Sequence, residues 1–544
     1  MERTQSLKKG SFFKHEPAKR ATKGKDITMT SRRTLALLLG LLLFACPLFA
    51  ACGARESTTD TFSTAATSTD GTESKGESDN TGSKYLDEND MYTLENLEMP
   101  EFNFNRNTFT VCVYNNVVQN TYHSEEIEPI ETTDDALRKG VLDRNGLIEE
   151  QYGVTVKAFA VDNVVTTLQQ DLSAGAATYD AAMPFMGSAA SLAQEGSFYN
   201  LYDFADYIHL DAPWWDQEAN KNLSLAGKLY FTTGDISIMQ KIVSSCILFN
   251  RELYAEICHE TYGDLYQMVR DGKWTFDTMH EMGRMATMEK DGVSGMSYND
   301  QWGMVGTNGI GGMYIASGNK LIVKDQNDIP QISLGSTEAS IRYAEKVLEI
   351  YQDDSWFINT QKIEKQWTER NVWEAAMGAF GNKRSLFCGS AFSALKKLRA
   401  YDVDSIYGIV PLPKATVNQD KYYTPASVSM AYGICIPVNV PDANFSAYMI
   451  EALACGGKNF VTPAYYEVAL KSRAAKDDGS EEMLDLIFGN VVYDLGSMYN
   501  FGGIDIFGDL ISNNSTAVAS TLEAIKPNVQ AAIDAYVTAY DLNG

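Results

Sequence analysis

The sequence predicts an α/β fold, because segments that alternate like strands are followed by segments with helical periodicity. The first strand is predicted over 107–113, where apolar and β-branched residues alternate. A helix is predicted over 134–152, and Gly153 supplies a residue at which helices end readily. Val154 begins the next strand. The order strand, helix, strand is typical of sheets covered by helices.

The second half of the sequence continues this alternation. Helix starts are predicted at Ser336, Asp442 and Thr462, and strands over 406–410 and 430–438. A final helical region is predicted over 521–540, where Pro527 either interrupts the helix or lies in its first turn. About 440 residues follow position 105, which is too long for one ordinary domain and suits two.

A segment of another kind precedes the folded part. Arg32 and Arg33 come before an apolar run of 17 residues, 35–51, which ends in small residues next to Cys52. A basic start, an apolar middle and a small-residue exit are typical of a secretory signal. The cysteine at the exit resembles the lipobox of bacterial lipoproteins. That resemblance implies that residues 1–51 are a signal peptide and that the Cys52 thiol carries a lipid anchor.

Alternatives to this interpretation stay open. The apolar run could be an uncleaved transmembrane anchor, although a membrane-spanning helix needs about 20 residues. Cys46 could be the lipidated residue, but apolar residues follow it, whereas polar chain follows Cys52. Translation could begin at Met1 or at Met29, since secretory signals are usually shorter than the stretch before Cys52.

Residues 52–105 are predicted to form the lipidated cysteine and a flexible tether. Positions 53–84 are rich in Ser, Thr, Gly and acidic residues and nearly free of large apolar residues. Such a stretch cannot bury enough surface to offset its ordering entropy. Positions 85–105 gain some aromatic residues and are transitional. The tether would hold the folded part away from the membrane.

Charge and cysteine content exclude some classes of protein. Without residues 1–51 the chain has 35 Lys and Arg against 68 Asp and Glu, a net charge of −33. Such a protein repels phosphate backbones, so no nucleic-acid partner is predicted. The cysteines after Cys52 are scattered without zinc spacing, so no metal site is predicted. Buried free thiols are expected, although a disulfide stays possible.

A series of short motifs runs from about residue 140 to residue 500. They are Arg144-Asn145, 148–156, 172–175, Tyr179-Asp180, Asn200-Leu201, 213–216, 225–231, Gly234-Asp235, Phe249-Asn250, 272–277, 407–414, 420–423 and 461–467. In this order the motifs resemble family 1 extracellular solute-binding proteins, the receptors of ABC importers. The likeness is greatest to the carbohydrate receptors of Gram-positive bacteria.

This resemblance implies a periplasmic-binding-protein-like α/β fold with two lobes, a hinge and a ligand cleft between the lobes. We place lobe 1 at 106–240 plus 411–455 and lobe 2 at 241–410 plus 456–544. The resemblance further implies a monomeric, lipid-anchored receptor on the extracellular face of the cell membrane. Such a receptor captures a small solute, here a sugar or oligosaccharide, and delivers it to ABC permease subunits without a cofactor.

A cleft for sugars needs aromatic rings against C–H faces and polar groups for hydroxyls, because an unpaired buried polar group costs about 1–3 kcal/mol. The candidate ligand-binding residues lie at strand ends, in loops or near glycines, and are Tyr114, Asn115, Ser188, Trp214, Asp235, Trp302, Tyr314 and Trp373. Ordinary packing is the alternative for each of them, above all for the tryptophans, which are usually buried.

Catalytic patterns are poor. No H-E-x-x-H, G-x-S-x-G or Walker loop occurs, and Ser393 and Lys396 fit S-x-x-K without companion motifs. We therefore predict no enzymatic activity and no catalytic residue. Two alternatives stay open. One is an exported glycosidase or lyase, which for a glycosidase requires paired carboxylates about 5–10 Å apart. The other is a surface adhesin or sensor on the same fold.

Overall fold

The computed structural model describes residues 84–117, 121–307, 309–398, 401, 407–471 and 478–543. The predicted signal peptide, Cys52 and the tether up to residue 83 lie outside these ranges. All described residues belong to one unit, Ser78–Gly544. Within the described ranges, we find no helix with the length and apolar character that crossing a membrane requires.

The strands are short and spread along the chain. They are β1 Thr108–Tyr114, β2 Thr155–Val161, β3 Ala181–Ala182, β4 Ser245–Asn250, β5 Trp302–Gly306, β6 Ile322–Lys324, β7 Pro330–Ile332, β8 Phe357–Asn359, β9 Ser385–Ala391, β10 Tyr407–Val410, β11 Thr424–Pro425 and β12 Val491–Val492.

The helices connect the strands and cover the sheets. They are α1 Asp135–Tyr152, α2 Val164–Ala174, α3 Met186–Gln194, α4 Gln217–Leu223, α5 Met239–Ile242, α6 Arg251–Ile257, α7 His259–Tyr262, α8 Leu265–Arg270, α9 Phe276–Ala286, α10 Gly311–Ala316, α11 Glu338–Gln352, α12 Val372–Gly381, α13 Ala394–Leu398, α14 Ala443–Gly456, α15 Thr462–Lys471, α16 Asp478–Gly489, α17 Leu495–Tyr499, α18 Phe507–Ser512 and α19 Val518–Asn543.

The first sheet is parallel, with strand order β2-β1-β3. A distant stretch of chain extends it, because Ala182 forms an antiparallel bridge with Cys435, and Thr232 forms one with Ile434. The strand predicted over 430–438 is therefore present as isolated bridges rather than as a regular strand. Its apolar residues are buried against the sheet, which explains the strand-like pattern.

Helices from both ends of the sequence cover the first sheet. Asp134 caps α1 and Gly153 ends it in the left-handed conformation, as predicted. Helix α1 packs against α14, the π-helical turn Gly457–Val461 and α15. Helix α15 begins at Thr462 as predicted, but it follows α14 and the π-helical turn without a break. Helix α15 packs on α1 and also contacts α16 through Tyr466, so the predicted lobe boundary after 455 stays a prediction.

The second sheet is mixed, with strand order β10-β4-β9-β5-β8. Strand β4 is antiparallel to β10 and β9, whereas β5 is parallel to β9 and β8. Helices α9 and α12 pack on β5 and β9, and α16 packs on β10. The two sheets with their own helices confirm the α/β fold class.

Residues 84–106, which we call the strap, cross the helices of the first sheet. The side-chain amide of Asn459 accepts from the Tyr92 N–H at 2.9 Å and donates to its carbonyl oxygen at 2.8 Å. Phe102 packs on Phe445 and other aromatic rings of the layer. The structure therefore differs from the predicted flexible tether over 84–105, because these aromatic residues bury apolar surface that offsets the ordering entropy.

Two further sequence expectations have clear outcomes. Helix α19 runs through Pro527 without a break, so neither predicted alternative holds. The ring removes one helical hydrogen bond, and packing of Val529, Ile533 and Tyr540 in the core stabilises the helix around it. The described cysteines, at positions 112, 246, 258, 388, 435 and 455, are all free and buried, as expected.

Candidate ligand-binding site between the two sheets

Three stretches of chain pass between the two sheets and lie side by side. Ser244, just before β4, forms an antiparallel bridge with Ala426. Strand β11 pairs in parallel with β12, and the Ala426 N–H donates to the Val492 carbonyl oxygen at 3.0 Å. These pairings hold together the segments that lead into the two sheets.

An aromatic stack lies at the carboxyl end of β1, beside these crossings. The Tyr114 ring lies against Phe185, with centroids 4.3 Å apart, and against Tyr432, with centroids 5.9 Å apart. Burial raises the pKa of Tyr114 to about 12, so its hydroxyl is neutral at physiological pH. Phe185 is only half-buried.

Tyr122 connects the loop after β1 to the second sheet. Its hydroxyl lies 3.4 Å from Oγ of Ser393, which follows β9. Its backbone carbonyl oxygen accepts from the Tyr432 hydroxyl. Tyr122 thus contacts Ser393 through its hydroxyl and Tyr432 through its carbonyl oxygen.

The first turn of α3 meets two other segments at the same place. The Gly187 N–H donates to the Val428 carbonyl oxygen at 3.1 Å, and a Cβ at Gly187 would lie 3.7 Å from the Met498 carbonyl oxygen. Ser188 lies in this turn and is half-buried. The segment 498–505 thus begins beside α3 and runs to the second sheet's side.

Asp505 lies at the far end of this segment. A Cβ at Gly311, the first residue of α10, would lie 3.0 Å from the Asp505 carboxylate. The Asp505 side chain is exposed, yet surrounding protein raises the pKa of its carboxyl by desolvation, and the Asp509 carboxylate adds a smaller effect in the same direction. A carboxylate that is exposed to solvent and yet desolvated by nearby protein atoms lies in a concave part of the surface.

Trp373 completes the second sheet's side. It is the second residue of α12, and half of its side chain is exposed. A Cβ at Gly309 would lie 3.8 Å from Cη2 of Trp373. Only Ile310 lies between Gly309 and Gly311, so their Cα atoms lie within about 7 Å of each other. The exposed ring of Trp373 and the carboxylate of Asp505 therefore flank one short loop.

This arrangement suits a ligand with both apolar and hydroxyl-bearing faces. An indole face can stack on C–H groups, and a carboxylate accepts hydrogen bonds from hydroxyls with roughly twice the strength of a neutral acceptor. The missing side chain at Gly311 makes room for the Asp505 carboxylate. We call Trp373 and Asp505, with Tyr122, Ser188 and Ser393, the cleft group.

Three of the predicted ligand contacts lie in the protein core instead. Trp214 is fully buried with its ring edge-on to Tyr85 and Tyr92. Trp302 is buried at the start of β5 and donates to the Ser297 carbonyl oxygen at 2.8 Å. The buried Tyr314 hydroxyl lies 2.6 Å from Ser340 Oγ. In this conformation these rings contact protein rather than the cleft.

Two polar candidates have protein partners. The Asn115 amide donates to Asp162 at 2.6 Å in the loop after β1. Asp235 is buried between Lys241 and Lys458 and accepts from the Thr462 hydroxyl at 2.6 Å. These contacts fix loops and helices around the first sheet. Of the remaining candidates, Tyr114 is buried in its aromatic stack, Ser188 is half-buried and Trp373 is half exposed, and their ligand contacts stay predictions.

Sequence reasoning missed Asp505, Tyr122 and Ser393 as cleft residues. Asp505 lies in the Gly- and Asn-rich stretch 498–515, whose composition predicts a loop but not its location. The glycines around 309–312 were the available signal, because they permit close approach of another segment. Within the described ranges no cluster of His, Cys, Asp and Glu could hold a metal ion.

No protein-family model matches the chain, and no curated protein matches it. Among solved structures it is similar to a sugar transporter from Rhizobium etli in an open conformation, with 14% identity over 78% of this chain and 99% of that chain and a TM-score of 0.50. An ABC substrate-binding protein from Listeria monocytogenes in complex with cycloalternan has 11% identity over 79% of this chain and 100% of that chain, at a TM-score of 0.48.

A cyclo/maltodextrin-binding protein complexed with maltotetraose has 13% identity over 81% of this chain and 97% of that chain, also at 0.48. At these identities the likeness concerns the fold alone. The shared fold with the R. etli protein confirms the predicted two-lobe α/β class of periplasmic-binding-protein-like folds.

Proposed function

We propose that the protein is a solute-binding receptor of an ABC importer that captures a sugar or oligosaccharide between its two lobes. One observation carries the proposal. The exposed indole of Trp373 and the solvent-exposed carboxylate of Asp505 lie on either side of one short loop in a two-lobe fold. The shared fold with a sugar transporter supports it. Closure would bring the Tyr114 and Ser188 side of the cleft onto the ligand.

The proposal includes the place where the receptor works. Cys52 would carry the lipid anchor, and the residues between Cys52 and the strap would tether the folded part to the extracellular face of the membrane, near the permease subunits. The basic and apolar pattern of residues 32–51 supports export. Cys52→Ala should release the protein into the medium or leave it unprocessed. Continued processing and membrane binding would contradict Cys52 as the anchor and point to Cys46.

Mass spectrometry of small molecules released from the purified protein would test the ligand class. We expect a sugar, which calorimetry should then show to rebind, and which should be recovered unchanged after incubation. Recovery of cleaved sugar would instead support the enzyme alternative, for which Asp505 and Asp509 are the neighbouring carboxylates. A released ligand that is not a sugar would overturn the substrate class while leaving the receptor function in place.

A further inference from the structure

Four consecutive residues with positive φ angles lead from the end of α17 towards Asp505. The angles are 51° at Asn500, 26° at Phe501, 67° at Gly502 and 102° at Gly503. Glycine adopts such angles readily, and an asparagine at the end of a helix often does so. A bulky side chain rarely does, and holding one there costs folding free energy. We call residues 500–503 the left-handed run.

The ring of Phe501 shows how the run is held. It has no exposed surface and stacks on the Tyr499 ring, with centroids 5.2 Å apart and planes 16° apart. The Tyr536 ring of α19 meets it edge-on, with centroids 5.5 Å apart. Leaving this site would expose a large apolar side chain to water. Burial of the ring therefore offsets the unfavourable backbone conformation at Phe501.

Backbone contacts fix the rest of the run. The N–H groups of Gly503 and Ile504 both donate to the Asn500 carbonyl oxygen, at 2.7 and 3.0 Å. A Cβ at Gly502 would lie 2.9 Å from the Asn528 carbonyl oxygen, so α19 approaches the run closely there. The run is therefore closed by its own hydrogen bonds and packed against α19.

The run ends two residues before the carboxylate of the cleft group. Ile504, which lies between them, is buried. The Asp505 carboxylate accepts from the Phe507 N–H at 3.2 Å and lies 3.0 Å from where a Cβ at Gly311 would be. Its direction is thus set by the backbone on either side of it, the left-handed run before it and the first turn of α18 after it.

We propose that the left-handed run is a positioning element, which holds the Asp505 carboxylate in the orientation that a solute hydroxyl meets. The inference rests on the proposed function, in which Asp505 binds the solute. Strained backbone persists where the surrounding structure over-determines it, and such positions cluster at ligand sites. A carboxylate that is fixed before binding avoids the entropy loss of a mobile one. Affinity therefore depends on the run although the run itself does not touch the solute.

Two glycine-to-alanine variants, one on each side of Asp505, test the proposal. An added Cβ would meet no atom within 4 Å at Gly503 or at Gly508, so neither variant clashes with its surroundings. Gly503 has a positive φ, whereas Gly508 lies in α18, so only Gly503→Ala forces the backbone to change. Gly508→Ala is therefore the matched control.

The first measurement needs no solute. Carbon-13 NMR of labelled aspartate, with Asp505→Asn assigning the signal, follows the titration of the Asp505 carboxyl. Surrounding protein raises the pKa of this carboxyl in the wild type by desolvation. Gly503→Ala should bring the pKa closer to the ordinary value of about 3.9, and Gly508→Ala should leave it as in the wild type. The same pKa in wild type and Gly503→Ala overturns the proposal.

The second measurement is calorimetry with the sugar that mass spectrometry identifies. Gly503→Ala should weaken its binding by about fivefold or more. It should have no further effect in Asp505→Asn, because the run acts only through that carboxylate, and an equal effect in both backgrounds overturns the proposal. If Gly503→Ala does not fold, Asn500→Gly takes its place, since it loosens the run at an exposed side chain. Unchanged affinity in Asp505→Asn would instead contradict the proposed site, while the NMR result still decides the role of the run.

Discussion

Trp214, under the strap, and Trp373, on α12, are the same type of side chain in two different environments. Trp214 has no exposed surface and lies under the strap, with ring centroids 5.5 Å from Tyr85 and 6.4 Å from Tyr92. Trp373 is half exposed and is a proposed ligand contact. The comparison shows that buried Trp214 contributes to the stability of the fold, whereas the exposed ring of Trp373 is free to contact a ligand.

The largest effect is expected on the buried side. Trp214→Ala should lower the free energy of unfolding by about 3–5 kcal/mol, because it removes a buried aromatic side chain and leaves a cavity. Urea denaturation of the folded protein measures this change. Trp373→Ala is the matched control and should stay within about 0.5 kcal/mol of wild type. Equal destabilisation by both variants would remove the distinction between the two sides.

Asp505→Asn sharpens the comparison on the cleft side. It should weaken binding of the released sugar by about tenfold or more, since hydrogen bonds to a charged group contribute about 1.5–3 kcal/mol. Stability should not fall, because the variant keeps an oxygen for the Phe507 N–H and removes a charge that desolvation disfavours. Calorimetric titration with the sugar measures the affinity of Asp505→Asn, and Asp509→Asn serves as the control. Unchanged affinity in Asp505→Asn would exclude Asp505 from the site.

Asp494, a few residues before the segment 498–505, offers a pH test of burial. Its buried carboxyl caps α17 and accepts from the Leu321 N–H at 2.9 Å, and burial raises its pKa to about 6. The folded protein therefore binds this proton at higher pH than the unfolded chain, whose Asp pKa is about 3.9. This contribution should raise the free energy of unfolding as pH falls from about 6 to 4, by about 1–2 kcal/mol.

Denaturation of wild type and Asp494→Asn across this pH range isolates the contribution, since the variant lacks the titrating group. The difference between the two should change with pH between about 4 and 6 and be constant at higher pH. A constant difference throughout would show that Asp494 is not desolvated as the structure places it.

The smallest effect is expected for the exposed ring itself. Trp373→Ala should lower sugar affinity by about fivefold to tenfold, because an aromatic contact contributes about 0.5–1.5 kcal/mol beyond area burial. Trp373→Tyr should recover part of that affinity by keeping an aromatic face. Calorimetry with both variants measures this order. If the Tyr variant binds no better than the Ala variant, the ring does not stack on the ligand.

Local features were predictable because neighbouring residues decide them. The Asp134 cap, the Gly153 end of α1 and the burial of the cysteines follow from short-range pattern and composition. Packing was not predictable from such signals. The pattern around Trp302 indicated a polar, glycine-flanked loop, whereas the ring is buried in the core at the start of β5.

The sequence by itself determined the alternation of strands and helices, the two-lobe class through its ordered motifs, and the acidic charge from which no nucleic-acid partner is predicted. Only the tertiary structure decided that Asp505 meets Gly311, that Tyr122 meets Ser393, and that the Phe501 ring meets Tyr536 of α19. The physical reason is distance along the chain. Each of these contacts joins segments far apart in sequence, and their proximity depends on how whole layers pack rather than on any local propensity.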